Sequence, residues 1–91
     1  MVHEAATFVM FIHEEAVQSC GMAYFLAMKY NRRDLARQVV DHALTDLLPA
    51  VKSMIDNWGW LSPYAQGAFN DFYKASLLSF QNADAILKND V

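Results

Sequence analysis

The side chains able to do chemistry are few and scattered. Histidines stand at His3, His13 and His42, the first followed by Glu4 and the second by Glu14 and Glu15. On one helical stretch His3 and His13 lie about 80° apart around the axis and roughly 15 Å apart along it, so one chain cannot bring both to one metal ion. A dinuclear site in a helical bundle needs Glu-x-x-His pairs on facing helices, and the chain has no such pair. Cys20 sits at helical spacing from Ala16 and Ala23, where a thiol packs as a compact apolar group, and no histidine is in register to activate it. Neither a phosphate-binding glycine loop, a zinc spacing nor a nucleophile elbow occurs. No metal and no cofactor are expected. The one enzyme-like pair is Arg37 and His42 in Arg37-Gln38-Val39-Val40-Asp41-His42. An arginine can steady a phosphate, and a histidine titrating near neutrality can move protons beside it. The same two side chains also suit the solvated face of a polar helix.

The Arg-x4-His spacing of Arg37 and His42 resembles the motif of HEPN-type ribonucleases. That resemblance implies all-helical subunits in which the arginine and histidine meet at a dimer interface and cleave RNA without a metal ion. Gln38 stands where that family usually has a small polar or acidic residue. Seven Lys plus Arg against ten Asp plus Glu give a formal charge of -3, which leaves no basic stripe to hold a nucleic-acid backbone. Nucleic acid is therefore not the expected partner, and a ribonuclease is the alternative to a protein that acts by binding.

What must position these residues is helical. The 91 residues are 55% hydrophobic and 19% charged, enough apolar surface for one packed domain over residues 1–91 and too much for a disordered segment. No stretch alternates apolar and polar residues for long, and no Asn-Gly or Asp-Gly pair joins two β-branched runs. The apolar run from Ala5 to Ile12 is cut by His13, Glu14 and Glu15. A helix crossing a membrane needs roughly 20 apolar residues, so none is expected. With the single Cys20 and no positively charged leader at Met1 to Glu4, the sequence reads as a soluble, cytoplasmic chain.

Helical phase divides the chain into an all-α, antiparallel three-helix bundle, up-down-up, with helices over about 3–30, 33–57 and 63–88. Stepping about 100° per residue, the first helix places Ala5, Phe8, Val9, Ile12, Ala16, Ser19, Cys20, Ala23, Leu26 and Ala27 toward the core. Asn31 suits a left-handed cap and Asp34 the start of the next helix. The second helix turns Ala36, Val39, Val40, Ala43, Leu47, Ala50, Val51, Met54 and Trp58 inward. Its phase runs straight through Pro49, which predicts a kink there, with a break at Leu48 as the alternative. Gly59 ends that helix, Ser62 caps the third and Pro63 opens it. The third helix then buries Ala65, Ala68, Phe69, Phe72, Ser76, Ser79, Phe80, Ala83, Ile86 and Leu87, leaving Leu77 and Leu78 off its core face.

This division leaves a surplus. Met10, Phe11, Val17, Met22, Tyr24, Phe25 and Met28 fall on the back of the first helix, and a three-helix monomer cannot cover both sides. A helix apolar nearly all round belongs inside a larger assembly, and methionine and aromatic side chains are the types that contact surfaces favour. The expected function is accordingly a protein–protein interaction or a helical dimer through Met10, Phe11, Met22, Phe25 and Met28, with Trp60 as a further anchor. A fourth, broken helix covering the same face is the competing arrangement. Trp58 and Trp60, on either side of Gly59, either close the end of the bundle or present an aromatic pair to a partner.

The same turn resembles the WXG100 family of small secreted helical hairpins, in which a Trp-x-Gly turn separates two long helices. Trp58, Ala65, Phe69 and Tyr73 follow its spacing, while Trp60 occupies the place of the family glycine and Asn31 to Asp34 interrupt the first half. That resemblance implies a protein found outside the cell. Tyr30 to Leu44 also resembles the turn and second helix of a tetratricopeptide hairpin, although the first helix is too long for that repeat.

Overall fold

The computed structural model of the chain describes residues 2–57 and 61–89, with side chains described for Ala5 and from Thr7 onward. The described residues form helix α1 (Val2–Lys29), helix α2 (Arg33–His42), a π-helical segment (Ala43–Leu47), helix α3 (Leu48–Asn57) and helix α4 (Pro63–Asn89). No strand occurs among them. The expected turn at Trp58, Gly59 and Trp60 lies outside the described residues. The molecule measures 48 × 18 × 17 Å with a radius of gyration of 14.5 Å. A compact chain of this length would have a radius of about 12 Å, so the helices lie side by side as long rods.

The first helix ends where side-chain chemistry says it should. Asn31 has a φ of 57°, a conformation that its short polar side chain tolerates. Through it the Arg32 N–H reaches the Ala27 carbonyl at 2.7 Å and the Asn31 N–H the Met28 carbonyl at 3.1 Å, the paired bonds of a Schellman cap. Arg32 is the capping residue of α2 but makes no side-chain cap bond. Its guanidinium instead holds Asp34 at 2.9 Å, placing a carboxylate in the first turn, where the helix dipole favours it. At the other rod, the Ser62 hydroxyl accepts the Ala65 N–H at 3.1 Å, leaving Pro63, which has no N–H to satisfy, at the first helical position.

The middle rod stays helical from Arg33 to Asn57, so no break occurs at Leu48. It adapts to Pro49 by a π turn: the Leu48 N–H bonds to the Ala43 carbonyl, five residues back. One extra residue is thereby taken into the turn just ahead of the proline. The core stripe moves with it. Ala36, Val40 and Ala43 are buried before the π segment, and Leu48, Val51 and Ile55 after it. The step of five from Ala43 to Leu48 adds Leu48 and Ile55 to the straight-through phase, whose Val51 is buried and whose Leu47 and Met54 pack half-buried against the core. Pro49 itself is exposed.

Each rod touches the other two. The core joins Met10 and Val17 of α1, Val40, Ala43, Leu48, Val51 and Ile55 of the middle rod, Leu61, and Phe69, Phe80 and Ala83 of α4. Between α1 and α4 the partners rise together in number: Phe11 meets Phe69, and Val17 and Gly21 share a crevice with Ser76 and Phe80. Between the middle rod and α4 they run oppositely, Arg37 meeting Asp84 and Ile55 lining a crevice with Pro63 and Gln66.

Two core assignments change. In α1 the buried side chains are Met10, Val17 and Ala27, with Cys20 and Tyr24 packed beside them, whereas Phe8, Ile12 and Leu26 are exposed. Burial therefore follows the seven-residue spacing of Met10, Val17 and Tyr24, about a third of a turn from the face chosen by phase. In α4, Leu77 packs on the core while Ile86, Ala68 and Ser79 are exposed; Leu78 stays outside, as expected.

Candidate functional site

The polar clusters are tied up within the chain. Arg37 lies between α2 and α4, bonded to Asp41 at 2.8 Å and closely to Asp84. Asp84 also receives Lys88 at 3.1 Å. The bond from Arg37, then that from Lys88, holds the Asp84 carboxyl below the usual carboxylate range, and the Asp84 bond raises the Arg37 guanidinium. To hold a phosphate Arg37 would have to give up these carboxylates, and its geometry is that of a strut between helices. His42 bonds Asp46 at 2.8 Å on the exposed side of the rod. The sequence offered no sign of the Arg37–Asp84 contact, because its members are 47 residues apart.

The strut has a pH signature. A carboxyl whose folded pKa is depressed contributes stability that is complete above its unfolded pKa of about 3.9, and that stability is lost as pH falls through the lowered folded value. Asp84→Asn is expected to lower the melting temperature at neutral pH, with the difference from the parent closing in strong acid. Thermal melts of both proteins from pH 7 down to about pH 2 check this, and a difference independent of pH would exclude the ionic origin.

Cys20 is half-buried with its sulfur 3.9 Å from the Val39 carbonyl, and burial pushes its thiol upward, away from the thiolate a nucleophile needs. His13 bonds the Val9 carbonyl of its own helix at 2.9 Å. No group of three metal-ligating side chains occurs among the described residues. No helix among them is long and apolar enough to cross a membrane.

What remains is the outer face of α1. Met22 is 61% exposed and Phe25 62%. Phe11 is exposed as well, although one edge of its ring packs against Phe69 at 5.7 Å. Met28 is half-buried. Met10, named with these as a contact residue, is only 2% exposed and belongs to the core, because it shares a stripe with Val17 and not with Met22. Trp60 lies outside the described residues. Phe8 at 67% exposure, Ile12 and Leu26, which phase analysis had sent to the core, complete the face instead, joined past the helix end by Tyr30.

These side chains have an order that the sequence carries in plain view. Phe8, Ile12, Glu15, Ser19, Met22 and Leu26 alternate steps of four and three, the spacing of a seam between two helices. The seam is apolar at both ends and polar at Glu15 and Ser19. Beside its C-terminal end, Ala23, Leu26, Ala27, Tyr30, Leu35 and Val39, together with Arg32, line a mostly apolar groove of about 390 Å³ between α1 and α2. Such a groove can take one or two large apolar side chains, and its one charged residue, Arg32, is engaged with Asp34. In comparisons with family models, curated proteins and solved structures, nothing matches the chain.

Proposed function

We propose that this chain is a small non-enzymatic interaction module, one helical domain that binds a protein partner or a second copy of itself through the outer face of α1. It works by occupying or assembling. The observation that carries the reading is the exposure of Phe8, Ile12, Met22 and Leu26 along one seam, with Phe25 exposed on its flank. Scattered exposed apolar residues are ordinary, but a contiguous face of them marks a contact surface. The contacts among the rods favour the up-down-up antiparallel bundle, with the middle rod bent at Pro49, as the frame that turns this face outward. The reading places the protein in the cytoplasm, where Cys20 would stay reduced.

Methionine oxidation tests the reading. In a solution dilute enough to hold single chains, peroxide is expected to oxidise Met22 many times faster than Met10, read peptide by peptide in a mass spectrometer. Equal, slow oxidation of the two would mean that the chain covers its own face, and the reading would fall.

A further inference from the structure

We infer that the occupant of the α1 face is a second copy of this chain, laid antiparallel along the outer side of α1 about a two-fold axis at the height of residue 17, between Glu15 and Ser19. The inference rests on the binding-face reading and adds the partner and its register. Three observations carry it.

The first is the order of the seam. Laid antiparallel about that axis, Phe8 faces the partner subunit's Leu26, Ile12 faces the partner subunit's Met22, and Glu15 faces the partner subunit's Ser19. Apolar meets apolar, and the one carboxylate of the seam meets a hydroxyl that can donate to it. Polar positions inside a seam fix register and orientation in this way. A parallel pair would set Glu15 against Glu15 and, one step further along the seam, Lys29 against Lys29, bringing like charges together at both places.

Area is the second. The seven exposed large side chains of α1 and its cap amount to about four whole side chains, on the order of 800 Å² at roughly 200 Å² each. That is about what each partner contributes to a stable interface.

The groove beside Leu26 and Tyr30 is the third. It lies at the C-terminal end of the seam, while the most exposed phenylalanine of α1, Phe8, lies at the N-terminal end. The two-fold axis brings each Phe8 to the other copy's groove, so one patch complements itself, as closed symmetric pairs require. A head-to-tail contact would leave one Phe8 and one groove open in every pair.

Disulfide trapping decides the register. In a Cys20→Ala background, Phe8→Cys and Leu26→Cys chains are prepared separately; both sites are exposed, so the fold should tolerate them. Under mild oxidation the mixture is expected to give a covalent dimer in high yield and each variant alone little, because identical positions lie roughly 27 Å apart along the pair. Cross-linking of each variant with itself would overturn the antiparallel register. Equal yields from all three samples, or a single-chain mass at every concentration in sedimentation equilibrium, would overturn the second copy as occupant. Those results leave the binding-face reading to stand or fall on the oxidation of Met22.

Discussion

Replacing Met22 and Phe25 together by glutamate is expected to hold the chain at single-chain mass at concentrations where the parent associates, with its helical circular dichroism unchanged. Both side chains are more than half exposed and make no part of the core cluster, so the folded chain gives up little when they become polar. The complex gives up much. Withdrawing each from a contact forfeits about 1–2 kcal/mol, scaled for the fraction of its surface on offer, and a symmetric pair loses each twice. At 1.4 kcal/mol per factor of ten, association weakens about a thousandfold or more. Met10→Glu is the contrasting substitution. Met10 is among the most deeply buried side chains, and a carboxylate placed there has no partner to offset its desolvation, at a cost of several kcal/mol. That variant is expected to lose helix and cooperative unfolding altogether. Sedimentation and circular dichroism on the two variants separate a face that binds from a face that folds. An associating Met22/Phe25 variant would exclude this face.

The difference between Met10 and Met22 also marks how far the sequence could be read. Local features were legible: the left-handed cap at Asn31 and the hydroxyl cap at Ser62 each depend on one side chain and its own backbone neighbours. The all-α class was legible for the same reason, since helical periodicity is a property of short windows. The direction in which α1 faces the core was not. Met10, Phe11 and Ile12 are consecutive apolar residues, as are Tyr24 to Met28, so every direction around the helix offers an apolar stripe. Only the packing of α2 and α4 selects the one through Met10, Val17 and Tyr24. The surplus of apolar residues survived this correction because it is a matter of area, whichever stripe is buried. Its members changed, losing Met10, Val17 and Tyr24 to the core and gaining Phe8, Ile12 and Leu26. The exposed seam was hidden by the same feature that announced the surplus, and its polar middle at Glu15 and Ser19 was the signal that could have separated seam from core.

Deleting Thr45 is expected to disturb the fold far less than deleting Gln38, although both residues are exposed and only seven positions apart. The π segment holds one residue more than an α-helical turn, and the buried positions Ala43 and Leu48 on either side are five apart because of it. Without Thr45 they become four apart, the Leu48 N–H reaches the same Ala43 carbonyl as an ordinary helical bond, and both halves of the core stripe keep their phase. The hydroxyl bond from Thr45 to the Asp41 carbonyl at 2.6 Å is lost, at about 1 kcal/mol. Pro49 would then press on a regular turn, so the comparison belongs in a Pro49→Ala background, where deleting Thr45 should shift the melting temperature by only a few degrees. Deleting Gln38 in the same background rotates everything that follows by about 100°. Val40 and Ala43, fully buried in the parent, leave the core whether or not the π turn later absorbs the missing residue. The Asp41 carboxylate moves away from Arg37 as well. A loss of several kcal/mol from a total of about 5–14 for a chain of this size removes most of its stability. Equal damage from the two deletions would mean that Pro49 alone shapes the middle rod and that the five-residue step has no part in setting its phase. Tolerance of the Thr45 deletion alone would identify the π segment as the register shift that carries Leu48 and Ile55 into the core beside Val51.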